Sequence, residues 1–147
     1  TILAACGGFL IAVLWMDLMF DVQVLRQRAG TLPGPVLDSI AAYYRRVLTG
    51  ASPMGRLVAV VMAAGIAAGI VQLAVGPARW VSALSLLLCV PPVVLAQTRI
   101  VPAAARLGTQ QDTPETQTRL AREICRNHLL CLAAMVALTA LQLLSTP

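Results

Sequence analysis

The chain has 147 residues, of which 59% are hydrophobic and 12% charged, and its net charge of +5 rests entirely on arginine. A soluble domain of this length needs far more polar surface, so the composition excludes one and places the chain in a bilayer. Guanidinium groups stay protonated in any environment, so the positive charge is permanent.

The first apolar run covers residues 2–20, about the length needed to cross some 30 Å of hydrocarbon as a helix. No basic segment precedes it, and it is too long for the core of a conventional signal peptide. Because the chain begins with Thr rather than Met, residues preceding Thr1 are expected. The run ends in WMDLMFDVQVL, which puts Asp17 and Asp21 on one helix face, Asp21 at headgroup level and Asp17 one turn deeper. A carboxylate at the bilayer centre costs about 2–3 kcal/mol on insertion scales and less near the boundary, so Asp17 calls for a partner.

After the breaker TLPGP, residues 36–49 place Val36, Leu37, Ile40, Ala41, Tyr44, Val47 and Leu48 on one stripe, with Asp38 early and Arg45 and Arg46 late. The pattern predicts an amphipathic helix lying on the membrane surface. Ser52 and Pro53 supply a cap and first-turn proline for a second span over residues 53–75. That span carries AVVMAAGIAAGI, in which Ala59, Ala63 and Ala67 form one small-residue ridge and Gly65 with Gly69 forms a G-x-x-x-G. Small residues let helix backbones approach closely in lipid, so this helix is expected to be central, serving the bundle or a homo-oligomer.

A third span over residues 80–100 contains Pro91 and Pro92, which remove two amide donors and predict a kink. Such a break can expose carbonyls to an ion or substrate, or simply shape the helix. Thr113, Pro114 and Glu115 then start a helix that runs to residue 144. At helical rise it is roughly 46 Å long, so only residues 125–144 need span and about ten residues project beyond the membrane. Arg119, Arg122 and Arg126 on the projection suit anionic lipid or an acidic partner.

All arginines but Arg79 flank the two long connections. The positive-inside rule therefore predicts a multi-pass protein of an inner or plasma membrane, with both termini on the non-cytoplasmic side and anionic lipid at the basic face. All four spans bring polar groups to that face: Asp17, Asp21, Arg56, Arg99, and Arg126 with Asn127 and His128. Two readings fit this layer. It is either a set of interfacial anchors or a small site in which Arg56 and Arg99 hold an anionic group while Asp17 and His128 exchange protons.

His128 is the single histidine, which argues against di-iron, bis-histidine haem and zinc chemistry within one chain. The cysteines, Cys6, Cys89, Cys125 and Cys131, show no C-x-x-C spacing and read as small packing residues. There is no phosphate-binding loop, nucleophile elbow or metal-ligand motif, so no cofactor or metal is expected. The arginines follow membrane topology and call for no nucleic acid. The expected fold is all-α, an integral membrane four-helix bundle with an amphipathic helix between the first two spans. The function expected is that of a structural or accessory subunit acting through helix–helix contacts in a larger membrane complex or homo-oligomer, rather than an enzyme. The alternative is a small carrier or membrane enzyme for an anionic or amphiphilic substrate.

Overall fold

The computed structural model describes residues 2–27, 29–49 and 53–145. Its helices are α1 (Ile2–Asp21), α2 (Gly34–Thr49), α3 (Pro53–Val75), α4 (Arg79–Leu95), α5 (Val101–Thr109) and α6 (Pro114–Leu144). A 3₁₀ turn, Val22–Arg26, extends α1, and a π-helical turn, Ala96–Ile100, joins α4 to α5. Four helical segments are long and apolar enough to cross a membrane: Ile2–Arg26, Pro53–Val75, Arg79–Thr109 and Pro114–Leu144. The molecule is all-helical, as the sequence predicts. Arg28 and the Ser52 cap expected for α3 lie outside the described residues.

The spans form a ring in which α1 packs between α3 and α6, and α4 packs between the same two from the other side. The spine is α6, not the small-residue helix α3. Only 11% of the most apolar stretch of α3 is buried, against 33% for α6. The reason lies in how the two ridges of α3 divide. Gly65 and Gly69 face inward, where a Cβ on Gly69 would come within 2.7 Å of Leu86 and one on Gly65 would touch Cys6 and Cys89. Ala59, Ala63 and Ala67 face outward with Val60, Ile70 and Val71. The glycines bring α3 close to α1 and α4 on one side only. Across the ring, Gly7 lets α1 meet α6, since a Cβ there would overlap the Thr139 hydroxyl.

Pro91 and Pro92 do not end α4. The helix continues through them, and the departure from α geometry follows as the π turn, where the Ala96 N–H reaches the carbonyls of both Pro92 and Val93. Beside this turn the Cys131 thiol of α6 also donates to the Pro92 carbonyl at 3.9 Å.

Beyond the ring, α2, α5 and the first turns of α6 build a helical cap with its own core. Leu37, Ile40, Ala41 and Tyr44 of α2 are buried against Ala104 and Leu107 of α5 and Leu120, Ala121 and Ile124 of α6. The middle of the stripe expected to lie on lipid, from Leu37 to Tyr44, is thus covered by protein, because α5 and the projecting part of α6 offer it a packed apolar surface, while Leu48 stays exposed. Thr113 caps α6 through its Oγ1, which accepts the Thr116 N–H. Gln110 ends α5 in the left-handed region at φ 55°. Its amide donates to Asp38 Oδ1 at 2.7 Å and its carbonyl accepts from Arg45, tying α5 to α2. Arg45 Nε also donates to the Gly108 carbonyl at 3.1 Å. The connection from α1 is held by Arg122, whose Nη2 donates to the carbonyls of Gln27 and Gly30, and by the Leu32 N–H donating to Thr118 Oγ1.

The two ridges of α3 make opposite predictions for stability. Gly69→Leu is expected to cost about 1–3 kcal/mol by overpacking against Leu86, whereas Ala63→Leu should change stability by no more than about 0.5 kcal/mol. Unfolding of the two variants in a detergent titration distinguishes them, and the reverse order would mean that the alanine ridge is the packed one.

Candidate functional site

The described structure gathers ionisable side chains at the junction of ring and cap. Asp17 and Asp21 come from successive turns of α1, so both point the same way, toward α2 and α6. His128 lies on the inward face of α6, in line with Ile124, Cys125 and Cys131, and is buried with them. Tyr43 and Tyr44 reach in from the last turns of α2.

Asp21 is fully buried, and both of its oxygens are engaged. Oδ1 accepts from the Tyr44 hydroxyl at 2.7 Å, and Oδ2 lies 2.6 Å from His128 Nδ1. A contact this short requires one proton between Asp21 Oδ2 and His128 Nδ1. Asp17 is held less completely. Its Oδ1 accepts from the Tyr43 hydroxyl at 2.5 Å, but its Oδ2 is 3.8 Å from His128 Nε2, beyond hydrogen-bond reach. Phe20 stacks on Tyr43 with ring centroids 4.1 Å apart and fixes that ring. One imidazole and two phenols thus serve two carboxylates and join α1, α2 and α6.

Burial and the adjacent carboxylates push both tyrosine hydroxyls above their ordinary value of 10.0. They therefore remain protonated donors throughout the physiological range.

Of the polar layer expected from the sequence, the structure brings together Asp17, Asp21 and His128. Arg56, Arg99 and Arg126 stay on the surface. Arg99 is 68% exposed and only 4.0 Å from Glu123 Oε1, and Arg126 lines an open groove of about 590 Å³ with Arg119, Glu115 and Glu123. Three long, flexible, strongly solvated side chains have no reason to enter the helical junction when water is within reach. Sequence reasoning missed the roles of Tyr43 and Tyr44. The signal was present, since Tyr44 sits on the apolar stripe of an otherwise aliphatic helix and a buried phenol needs an acceptor.

A second polar contact missed in the sequence lies toward the other end of the ring. Gln142 Nε2 donates to Ser85 Oγ at 2.7 Å, and Ser85 Oγ donates to the Val81 carbonyl. It ties α6 to α4 where apolar packing is thin. Among the described residues no cluster of His, Cys, Asp and Glu is arranged to hold a metal ion.

A cavity of about 390 Å³ opens beside the ionisable cluster, between α3 and the rest of the ring. Its walls are mostly apolar, from Leu10 and Leu14 of α1 through Val58 and Met62 of α3 to Met135 of α6, and Asp17, Tyr43 and His128 form its polar corner. It exists because α3 is clamped at its glycine end and stands away from α6 at its Pro53 end.

Fold and site define a multi-pass helical membrane protein with a buried polar junction between its helices and apolar faces turned outward. Residues 1–144 match the family model of the SHR3 chaperones, described as ER membrane protein SH3. The chain belongs to that family. The family's membrane is that of the ER, so the inner or plasma membrane expected from arginine placement gains no support from it. No curated protein and no solved structure matches the chain.

Two outcomes test the junction. Tyr44→Phe leaves one oxygen of a fully buried carboxylate without its donor and is expected to cost about 1–3 kcal/mol, more than Tyr43→Phe, whose carboxylate borders the cavity. Tyr43 and Tyr44 are also the chain's two tyrosines, so alkaline titration reads them directly. A hydroxyl raised on folding stabilises below its unfolded value near 10 and loses that contribution as pH climbs through the folded value. Tyrosinate absorbance should stay absent above pH 10 until the protein unfolds, and a smooth titration near 10 would contradict the buried pairing.

Proposed function

We propose that this protein is a membrane-embedded chaperone that covers transmembrane helices of other polytopic proteins, using α3 as its docking helix. The observation that carries the reading is the outward ridge Ala59–Ala63–Ala67, flanked by Val60, Ile70 and Val71, on the least buried span of the ring. Lipid tails are as apolar as any side chain, so a helix gains little by hydrophobicity alone when it leaves lipid for another helix. Close backbone approach over small residues is what favours the contact. The packed side of α3 already uses Gly65 and Gly69 in this way, and the outer side repeats the device for a helix from elsewhere. Membership of a chaperone family of the ER membrane supports the same reading.

The rigid part of the molecule supports it too. The cap and the Asp21–His128 junction hold α1, α2, α5 and α6 together without help from α3, leaving α3 free to change partners along its outer face. A homo-oligomer would use the same ridge. A carrier for an anionic substrate is the weaker reading, because Arg56 and Arg99 lie on the surface and the charged group lining the cavity beside His128 is a carboxylate, Asp17.

Site-specific photocrosslinking in native membranes tests the proposal. A photoreactive residue at Ala63 or Ala67 is expected to capture newly made multi-span membrane proteins several-fold more often than one at Leu130, an exposed position on α6. Equal capture at all three positions, or capture of lipid only, would remove α3 as the docking helix. Capture of a second copy of this chain would assign the ridge to self-association instead.

A further inference from the structure

We infer that the cavity beside α3 receives a lysine side chain carried by the client helix docked on the alanine ridge. The inference rests on the client reading and names what the client must bring.

Ala59 ties the two features together. It is the first residue of the outward ridge and also part of the cavity rim, so a helix lying along Ala59–Ala63–Ala67 passes over the opening. A volume of about 390 Å³ falls at the small-ligand end of binding cavities. It is far too small for a helix and large enough for one long side chain. Along α3 the lining runs from Met54 to Met62, about 12 Å at helical rise. The apolar walls suit an alkyl stem and the polar corner suits its head.

The chemistry of that corner selects the head group. Asp21 is sealed, but 16% of the Asp17 side chain remains exposed, and Asp17 is the carboxylate that lines the cavity. Its Oδ1 is taken by Tyr43. Its Oδ2 and His128 Nε2 lie 3.8 Å apart, too far for a hydrogen bond to each other, so both are open to a donor approaching from the cavity. With no arginine in the lining and one imidazole serving two carboxylates, the corner keeps an excess of acceptors and favours a cationic donor. A guanidinium binds best as a fork to two oxygens of one carboxylate, and one of these is already used. An ammonium is a compact donor that needs a single open oxygen, and its apolar stem can lie along the walls. Lysine is therefore the fitting residue. A basic residue one or two turns inside the membrane is the kind of group an unassembled polytopic protein needs shielded from lipid.

The test uses the full chain in membranes with a photoreactive residue at Met62, and single-span helices of Leu and Ala carrying one Lys, one Glu or neither near one end. The Lys helix should be captured about tenfold more than the other two, the ratio expected for one charge-assisted hydrogen bond in a dry site. Asp17→Asn should abolish that preference while capture by a probe at Ala63 persists. Val58→Trp, which takes up cavity space while leaving Asp17, Tyr43 and His128 themselves unchanged, should do the same and covers the case in which Asp17→Asn does not fold. Equal capture of Lys and Glu helices, a Lys preference that survives both variants, or a Met62 probe that captures lipid whichever helix is supplied would overturn the inference. Loss of capture at Ala63 as well would instead overturn the client reading beneath it.

Discussion

A carboxylate with no access to water or lipid headgroups, Asp21, is the constraint around which this molecule is arranged. An ionised group so placed is tolerated only when both oxygens are engaged by good donors, because desolvation otherwise outweighs any attraction. Tyr44 and His128 are the partners of those oxygens, and they tie α2 and α6 to α1 at the level where Leu14 and Leu18 also pack against them. The requirement fixes the rotation of α1, brings the end of α2 inward and sets the depth of α6. Asp17 and Tyr43, one turn along α1 and one residue back on α2, repeat the arrangement in looser form at the cavity.

The molecule consequently answers to two solvents. In the cap, α2, α5 and the start of α6 bury Ile40, Leu107 and Ile124 completely, as a water-facing domain does, and the cap is laced by Arg45, Arg122 and Gln110. Deeper in the ring the buried cluster is small, built on Leu3, Leu10, Cys89, Met135 and Leu138, and many large apolar side chains face outward for lipid to cover. Contact there depends on close approach at Gly7, Gly65 and Gly69 and on the Gln142–Ser85 hydrogen bond. The cap and α6 hold the larger share of buried side chains, while α3, packed along one face through Gly65, Gly69, Val61 and Ile66, leaves its other face exposed.

Composition and run length made the four spans and the amphipathic helix legible, because the hydrocarbon thickness leaves so little choice of element. The start of α6 at Thr113 and Pro114 was legible for a local reason, capping. What was not legible follows from the one-dimensional nature of a helix pattern. Small residues at four-residue spacing show that α3 has two small-residue ridges, but which of them faces inward depends on neighbours such as Leu86 and Cys6 from other helices. The stripe on α2 announces an apolar partner without saying whether it is lipid or protein. Charge in the sequence also overstated the polar site. Arginines at helix ends reach water easily and need no assembly, whereas the residues that must assemble are the short or rigid ones, Asp21, His128 and Tyr44.

The central claim is that Asp21 and His128 act as one unit in holding α1 to α6, and a double-mutant cycle measures that directly. Asp21→Asn, His128→Gln and the double variant would be compared by reversible unfolding in a lipid-like medium. Each single change is expected to cost several kcal/mol, about 3–5 for a broken buried pair, and the double variant should fall short of their sum by a coupling of about 1–3 kcal/mol. Additivity within about 0.5 kcal/mol would contradict it, showing that the two side chains are neighbours without being the interaction on which the bundle depends.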